Sequence, residues 1–414
     1  MIRRGLSTRR VLAITLLAGL LTGGQWAMAE AVRPYEHLQI GDPARRTRVA
    51  RVELDTITDT ASGQQIGAAA LAEKLRDVRV LFVGEEHTNG EFHRVQLAAI
   101  AALHAAGRKV ILGLEMFPWD PQPALDRWSR GELTETQFLD ESRWYEVWSH
   151  HFGHYREIFA FARDNRLRIV GLNAPREVVR DVRAKGFDGL SPEIRSRMPP
   201  TVDLGNTEHR ALVQSYFDAD DPLHAKMTVE QQEGVYRAQV TWDASMGWQA
   251  GQALSSPSDP REIVVVLIGG GHVAYGLGAE RQLRSSFKGR TATLIPVTVS
   301  SGAKRTEVSA AYANFLWGVP QTAQPTLPVL GVSLMGRIGK EPTKVIQIDT
   351  GSTADLAGVK VGDILRELDG AKIDGTAALQ RKIGDYRWGD SAKLRLERDT
   401  QSLTLPIDFR RRTD

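Results

Sequence analysis

The sequence of 414 residues contains no cysteine. This absence excludes disulfide bonds, thiolate metal sites, a cysteine nucleophile and a lipid anchor on an amino-terminal cysteine. The sequence also has little that could span a membrane, because its apolar run at residues 11–21 is shorter than the about 20 residues that a span requires. We therefore expect a soluble mature protein whose chemistry depends on side chains other than thiols.

Residues 1–29 have the pattern of a cleaved export signal. Arginines come first, the apolar run follows, and an Ala-Met-Ala sequence ends at Ala29. Arg9 and Arg10 partly match a twin-arginine signal, but the residues after them favour ordinary Sec export. Removing the signal deletes four arginines and no acidic residue, so the formal net charge changes from +3 to −1. The remaining charges are interspersed, and we predict a periplasmic protein that binds no nucleic acid.

Strands and helices alternate along most of the chain. Short apolar runs at residues 78–83, 167–172 and 263–268 predict buried parallel strands, and helical patterns separate them. Residues 173–260 are mostly helical in pattern. The alternation predicts an α/β domain over residues 30–317, in which helices cover a mostly parallel sheet and a helical insertion precedes the last strands.

A second, smaller domain follows a proline-rich segment. Three prolines within residues 318–328 predict a semi-rigid linker. Beyond that segment, residues 329–414 show short alternating strands and one helix, a pattern that is typical of a small β-rich domain. We therefore predict two domains after the export signal.

Two Gly-x-x-His motifs each follow a predicted strand. One motif ends at His87 and the other at His272. The carboxyl ends of parallel strands meet at one edge of a sheet, and α/β proteins bind ligands in the crevice outside that edge. We therefore expect the two histidines to face one pocket, together with Glu115, Asn173 and Arg176, which follow the other strands.

Two histidines with nearby carboxylates are compatible with two kinds of hydrolysis. His87, Glu115 and His272 could hold a divalent metal such as zinc, whose bound water attacks an amide or an ester. Alternatively, a histidine beside Glu115 could act as a metal-free general base. Glu85 and Glu86, directly before His87, would then add carboxylate. Arg176 or Arg94 would stabilise developing negative charge. The spacing of these residues does not choose between the two.

An aromatic segment at residues 144–155 offers a third interpretation. It contains His154 and Tyr155 together with two tryptophans. A helical cover packed on the sheet and a wall for a flat aromatic ligand are both compatible with this composition. In the second case, a tyrosine or a histidine is available as an axial ligand for iron.

Several motifs in this order resemble the ChaN-type haem-binding family, which is distantly similar to erythromycin esterases and Tiki metalloproteases. The motifs lie at residues 84–87, 91–93, 114–116, 155–156, 171–176, 238–246 and 269–272. The resemblance implies a bacterial envelope protein of iron or haem uptake that binds haem through a tyrosine and forms a homodimer around cofacial haems. Tyr155 lies inside a matching segment. The other candidate tyrosines are Tyr145, Tyr216, Tyr236 and Tyr275.

The resemblance also implies roles for particular residues. It places both motif histidines at the site, and the acidic partner of the esterase branch corresponds to Glu115. The candidates for cofactor binding are Tyr155, His154, His87, His272 and Asn173. The candidates for catalysis, if the protein is a hydrolase, are Glu86, His87, Glu115, Arg176 and His272.

The small domain resembles a bacterial PDZ domain. Leu330, Gly331 and Val332 lie in a segment similar to the carboxylate-binding loop of that family, and residues 351–365 form its most recognisable stretch. The resemblance implies that backbone N–H groups of the loop bind a protein C-terminus or an extended peptide. A helix predicted at residues 376–386 would flank the peptide groove.

Three functions stay open at this stage. The first is periplasmic haem or iron handling by a protein that its PDZ domain docks to a partner. The second is hydrolysis of a peptide or an ester, with or without a metal, at His87, Glu115 and His272. The third is a catalytically inactive scaffold whose PDZ domain carries the function.

Overall fold

The computed structural model describes residues 33–148, 150–216, 227–255, 259–322, 325–335 and 343–410. The predicted export signal at residues 1–29 lies outside these ranges and stays a prediction. Within the described ranges, no helix is both long and apolar enough to cross a membrane.

A large sheet forms the centre of the first unit. The strands of this unit are β1 (Val49–Glu53), β2 (Ile57–Asp59), β3 (Gln64–Ile66), β4 (Val78–Glu85), β5 (Lys109–Pro118), β6 (Arg168–Asn173), β7 (Glu262–Gly269), β8 (Arg290–Val299), β9 (Arg305–Ser309) and β10 (Phe315–Pro320). β1 and β9 pair with each other, apart from the large sheet. The large sheet has eight strands in the order β3-β2-β10-β8-β4-β7-β5-β6. Its six strands from β10 to β6 run parallel. The predicted α/β class with a mostly parallel sheet is confirmed.

The strands that carry the two Gly-x-x-His motifs are neighbours at the middle of this sheet. All residues of β7 are buried, as are all but one of β4. Such strands, buried on both faces, read as continuous apolar runs, which is why the sequence predicted them. Glu85 pairs with Gly269, so the two strands end level with each other.

Helices cover both faces of the sheet. They are α1 (Ala68–Lys74), α2 (Gly90–Ala105), α3 (Gln122–Ser129), α4 (Glu135–Glu141), α5 (Trp144–Val147), α6 (Arg156–Asp164), α7 (Arg176–Lys185), α8 (Pro192–Ser196), α9 (Thr207–Ser215), α10 (Val229–Gln252) and α11 (Ala279–Arg284). The longest, α10, begins at a capping box in which Thr228 and Gln231 satisfy each other's backbone N–H groups. Together α7 to α10 form the predicted helical insertion between β6 and β7.

The last strand of the sheet extends into the range predicted as a linker. β10 pairs in parallel with β8 through Val319 and Pro320, and it pairs antiparallel with β2. The linker prediction is therefore wrong for residues 318–320. Proline donates no ladder hydrogen bond, but it is tolerated at a strand end, so Pro320 closes the strand and does not begin a linker.

The second unit is a small antiparallel sheet with two helices. Its elements are β11 (Val332–Met335), β12 (Thr343–Ile348), α12 (Thr353–Leu356), β13 (Ile364–Leu368), β14 (Ala371–Lys372), α13 (Thr376–Ile383), β15 (Ser391–Arg398) and β16 (Gln401–Asp408). The sheet order is β11-β12-β13-β15-β16, with β14 paired to β13. Leu365, Leu379, Leu394 and Phe409 belong to its own buried apolar core. The predicted small β-rich domain is confirmed.

Candidate functional site

Polar side chains meet at the carboxyl edge of four adjacent strands. In the sheet order β4-β7-β5-β6, His87 follows β4, His272 follows β7, Glu115 lies in β5 and Asn173 ends β6. A Cβ atom on Gly269 would lie 3.2 Å from His87 Cε1 and 3.5 Å from Glu115 Oε2. The two motif strands therefore do bring their histidines to one place, with Glu115 between them.

Glu85 anchors His87 from inside the protein. The Glu85 side chain is fully buried, and its Oε1 lies 2.8 Å from His87 Nδ1. Tyr155 donates its hydroxyl to the same oxygen at 2.6 Å, and Gln96 donates its amide to Oε2 at 2.6 Å. Burial raises the pKa of Glu85, but the charges of His93 and His87 outweigh burial and hold that pKa at about 2. Glu85 is thus a carboxylate with fixed partners.

This anchoring fixes the orientation of the His87 ring. Because Nδ1–H donates to Glu85, Nε2 is the nitrogen that faces the crevice. Burial lowers the pKa of His87, but the hydrogen bond to Glu85 and the negative charge of Glu115 outweigh it and raise the pKa. The His87 side chain retains 15% exposure. His87 Nε2 is therefore a basic nitrogen at the crevice.

A second chain of ionisable groups continues from Glu115. Gly269 N–H donates to Glu115 Oε2, and Oε1 of the same carboxylate lies 3.4 Å from His272 Nε2. His272 Nδ1 lies 2.7 Å from Asp243 Oδ1, while Asp243 Oδ2 lies 3.2 Å from His209 Nε2. Carboxylates and imidazoles thus alternate from Glu85 to His209. A cluster of buried ionisable groups with perturbed pKa values at a strand edge is a candidate functional site.

His272 holds its proton more firmly than an ordinary histidine. Burial lowers its pKa, but the charge of Glu115 and the hydrogen bond to Asp243 outweigh burial and raise the pKa to about 10. Because both of its ring nitrogens face carboxylates, His272 is an imidazolium at neutral pH. It neutralises charge at the site and is not an open base.

The raised pKa of His272 predicts a pH-dependent stability. A raised pKa in the folded state contributes stability that is complete below the unfolded pKa of about 6.5 and is lost as the pH rises toward about 10. We expect the free energy of unfolding in urea to fall by on the order of 1 kcal/mol per pH unit between pH 7 and pH 9. His272→Gln should flatten this slope, whereas His104→Gln, on the solvent side of α2, should preserve it. Equal slopes in wild type and His272→Gln would contradict the assignment.

The aromatic segment covers the crevice above His87. Trp148 and His150 place their ring centroids 4.8 and 4.9 Å from that of His87. Burial lowers the pKa of His150 well below its usual range, and burial together with the charge of His93 lowers the pKa of His154 to about 3. Both rings are therefore neutral at physiological pH, and Nδ1 of the buried His154 has no hydrogen-bond partner.

Other predicted site residues occupy different positions. Tyr155 is fully buried and its hydroxyl is engaged by Glu85, which differs from the expectation that it presents this hydroxyl to an iron ion. Asn173 donates its amide to the backbone carbonyl of Glu115. Arg176 donates to the carbonyl of Val147 in the aromatic segment.

Glu86 lies on the outside of the crevice. Its side chain is 37% exposed and forms an ion pair with Arg33 and a hydrogen bond with Asn89. Glu85 is the last residue of β4 and its side chain is buried, whereas Glu86 follows the strand. Because successive side chains of extended backbone point to opposite sides, only Glu85 points inward. The carboxylate next to His87 is therefore that of Glu85.

Some residues of the site were not selected from the sequence. Gln239 and Asp243 are four residues apart on α10, so they share a helix face, and both contact His272 Nδ1. The four-residue spacing predicts that Gln239 and Asp243 share a helix face, but the sequence does not show that this face of α10 lies over the sheet. Gln96 likewise lies on a helix, α2, and donates its amide to Glu85.

Comparisons with known proteins agree with this architecture. Residues 71–283, just over half of the chain, match the family described as haem-binding uptake, Tiki superfamily, ChaN. The chain belongs to this family. Residues 328–409 match the PDZ domain family. Both resemblances noted in the sequence are therefore confirmed, and the chain joins a domain of a haem-binding family to a PDZ domain.

Individual relatives are distant. The chloroplastic protein RETICULATA-RELATED 5 of Arabidopsis thaliana is 24% identical over 267 residues, which are 59% of this chain and 34% of that protein. The chain therefore spans about a third of the length of this curated relative. The structure of ChaN of Campylobacter jejuni with cofacial haem is 16% identical, covers 63% of this chain and 95% of its own, and has a TM-score of 0.49. A serine endoprotease from Yersinia pestis is 20% identical over 21% of this chain and 30% of its own, with a TM-score of 0.19.

Proposed function

We propose that this protein binds haem at the crevice beside His87 and that His87 Nε2 is the nitrogen that ligates the iron. Membership of a haem-binding family supports the cofactor. The observation that carries the proposal is the hydrogen bond between His87 Nδ1 and Glu85, since a carboxylate behind an imidazole fixes its tautomer and makes the outer nitrogen a better ligand.

The residues around His87 fit a haem group. Imidazole suits iron, and the neutral His150 adds a further imidazole beside His87, while the neutral His154 lies beside His93. The unpartnered Nδ1 of His154 is a buried polar atom that a ligand could satisfy. Trp148 offers an aromatic ring for contact with a flat macrocycle. Bound haem would supply a redox-active iron, or serve as the cargo of uptake.

The buried residues behind His87 have positioning roles in this proposal. Glu85 sets the orientation of the His87 ring, and Tyr155 and Gln96 in turn fix Glu85. Asn173 holds the backbone of β5 at Glu115, and Arg176 holds the backbone of the aromatic segment at Val147. A family homodimer around cofacial haems would close the crevice from outside. We further propose that the signal at residues 1–29 exports the protein to the periplasm.

Titration with haemin tests this function directly. We expect a shifted Soret band and a dissociation constant of micromolar or lower, roughly −8 kcal/mol in binding free energy. Sedimentation of the loaded protein would show whether two copies assemble around the cofactor. The absence of a Soret shift at both low and high protein concentration would rule out the proposal.

We also propose that the PDZ domain binds a free C-terminus at residues 330–332. Gly331 supports this role because its φ of +73° belongs to the left-handed region, and a Cβ atom there would lie 2.3 Å from Ser352 Cβ. The carbonyls of Leu330 and Gly331 accept N–H groups from Ala354 and Asp349, which shapes the loop. A loop whose backbone conformation is fixed in this way can hold a carboxylate through N–H groups.

Gly331→Ala should therefore damage both the stability and the peptide binding of the PDZ domain. Gly358→Ala is a matched control, because Gly358 has a φ of +79° but nothing within 4 Å of its missing Cβ. Each change costs about 1 kcal/mol for the left-handed backbone, and only Gly331→Ala adds about 1–3 kcal/mol of overpacking. Thermal unfolding and fluorescence anisotropy with a C-terminal peptide would measure both effects. Equal losses in the two variants would contradict the assigned loop.

Hydrolysis is a second candidate function, and a specific observation favours it. His87 has the geometry of a general base, with Glu85 behind Nδ1 and Nε2 toward the crevice, while the protonated His272 and Glu115 lie across the crevice. An esterase and peptidase screen, with and without added Zn²⁺, tests this candidate. Activity that disappears in His87→Ala would support it, and activity that survives would place any hydrolysis elsewhere.

A further inference from the structure

The aromatic segment contacts both the His87 site and the PDZ domain. We call residues 144–148 and 150–155 the aromatic cover. On one side Trp148 and His150 lie against His87. On the other side Tyr145 and His151 face α13 of the PDZ domain. A single short segment therefore lies between the crevice and a helix of the second domain.

One face of α13 packs on this cover. Ala377, Arg381 and Gly384 follow each other at four and three residues, so they share a helix face. Arg381 forms an ion pair with Asp140 at 2.6 Å and lies 5.9 Å from the centre of the Tyr145 ring. Ala377 packs against the apolar core of the large domain. The contact thus combines apolar packing, charge and an aromatic ring.

His151 adds a directional hydrogen bond to this contact. Its Nδ1 accepts the N–H of Gly153 at 2.8 Å, so the proton resides on Nε2, which donates to the carbonyl of Gly384 at 3.2 Å. Burial lowers the pKa of His151 to about 4, which keeps this neutral tautomer at physiological pH. The end of α13 is therefore tied to the cover by a specific bond.

The same helix packs on the core of the PDZ domain, and Val332 and Leu334 of β11 pack against that core as well. Leu379 and Ile383, on another face of α13, belong to the PDZ core. Among the described strands of this domain, β11 lies at the edge of the sheet and begins at the carboxylate-binding loop. An extended peptide adds to such an edge strand and then lies beside the neighbouring helix. A peptide in this groove would contact α13 and displace it.

We propose that α13 holds the aromatic cover closed over His87 and that a peptide with a free C-terminus, bound between β11 and α13, releases it. His87 retains only 15% exposure in the peptide-free protein, so the cover limits access to its Nε2. The coupling is reciprocal, because a ligand at the crevice that opens the cover also favours the peptide-bound position of α13. This regulation rests on the proposed ligand site at His87, but its test does not require haem.

Hydrogen–deuterium exchange of the full chain measures the cover directly. The probe is a decapeptide selected from a C-terminal peptide library by its binding to this chain. We expect it to accelerate amide exchange in residues 150–155 at least about 5-fold. Arg381→Ala should accelerate the same amides without peptide. Arg366→Ala is the matched control, because Arg366 pairs with Glu397 inside the PDZ sheet.

Each outcome decides the proposal. Faster exchange with the peptide and in Arg381→Ala, with no change in Arg366→Ala, is the expected result. A peptide that binds without changing exchange at residues 150–155 overturns the coupling. If the library yields no binding peptide, the proposal that a peptide in the groove releases the cover is wrong. Because no haem is present, a chain that fails the haemin titration can still pass this test, so the two proposals fail separately.

Discussion

Replacing His87 with alanine is expected to lower haemin affinity by about 100-fold or more and to change the position of the Soret band. The reason is that this change removes the nitrogen proposed to ligate the iron, whereas loss of a residue behind a ligand costs about 10- to 100-fold. Absorption titration of both proteins under the same conditions measures the difference. Tyr155→Phe should cost at most about 10-fold, because Tyr155 acts only through Glu85.

His104→Ala is the control for a general loss of imidazole. His104 lies in the last turn of α2 and makes an edge-to-face contact with Phe161, away from the crevice. We expect wild-type affinity in this variant. A greater loss of affinity in Tyr155→Phe than in His87→Ala would contradict the assignment and would restore the tyrosine ligand that the family resemblance implied.

Replacing Glu85 with alanine is expected to cause the largest loss of stability of any single change at the site. Glu85 is fully buried and contacts His87, Tyr155 and Gln96, so its removal leaves buried donors and imidazoles without their counter-charge. Removal of one member of a buried ionic group costs about 3–5 kcal/mol. Urea unfolding measures this loss, because a lower midpoint concentration at an unchanged m-value gives the change in the free energy of unfolding.

The neighbouring Glu86→Ala provides a matched control for Glu85→Ala. The two residues are consecutive and chemically identical, but the Glu86 side chain is 37% exposed and pairs with Arg33 at the surface. Loss of an exposed ion pair costs about 0–1 kcal/mol. Glu85→Gln keeps the shape and one acceptor, so we expect an intermediate cost of about 1–3 kcal/mol. Similar costs for Glu85→Ala and Glu86→Ala would contradict the assigned burial.

The sequence alone predicted the parts of this site that depend on local pattern. The run that became β7 is apolar at residues 263–268, and the run that became β4 is apolar at residues 78–83 except for Arg79. Their strand type, their parallel pairing and the meeting of His87 with His272 therefore followed from general rules for α/β sheets. The PDZ helix predicted at residues 376–386 is also found, from Thr376 to Ile383. Local signals of this kind are short-range and need no knowledge of tertiary packing.

The residues behind the histidines depended on packing between distant elements. Asp243 reaches His272 only because α10 crosses the sheet above the end of β7. Tyr155 was selected as a ligand, and its engagement by Glu85 depends on how α6 packs beside α2. The end of β10 was predicted as part of the linker because Pro320 is atypical of a strand and because the pairing partner, β8, is distant in sequence. Long-range contacts of this kind leave no periodic trace in the chain.

The central claim is that His87, fixed by Glu85, presents the nitrogen that ligates haem. Resonance Raman spectroscopy of the haemin-loaded protein tests it most directly, since imidazole and phenolate ligands give different vibrations at iron. The account predicts an imidazole signature in wild type and Tyr155→Phe that is lost in His87→Ala. A phenolate signature in wild type that survives in His87→Ala and disappears in Tyr155→Phe would contradict it.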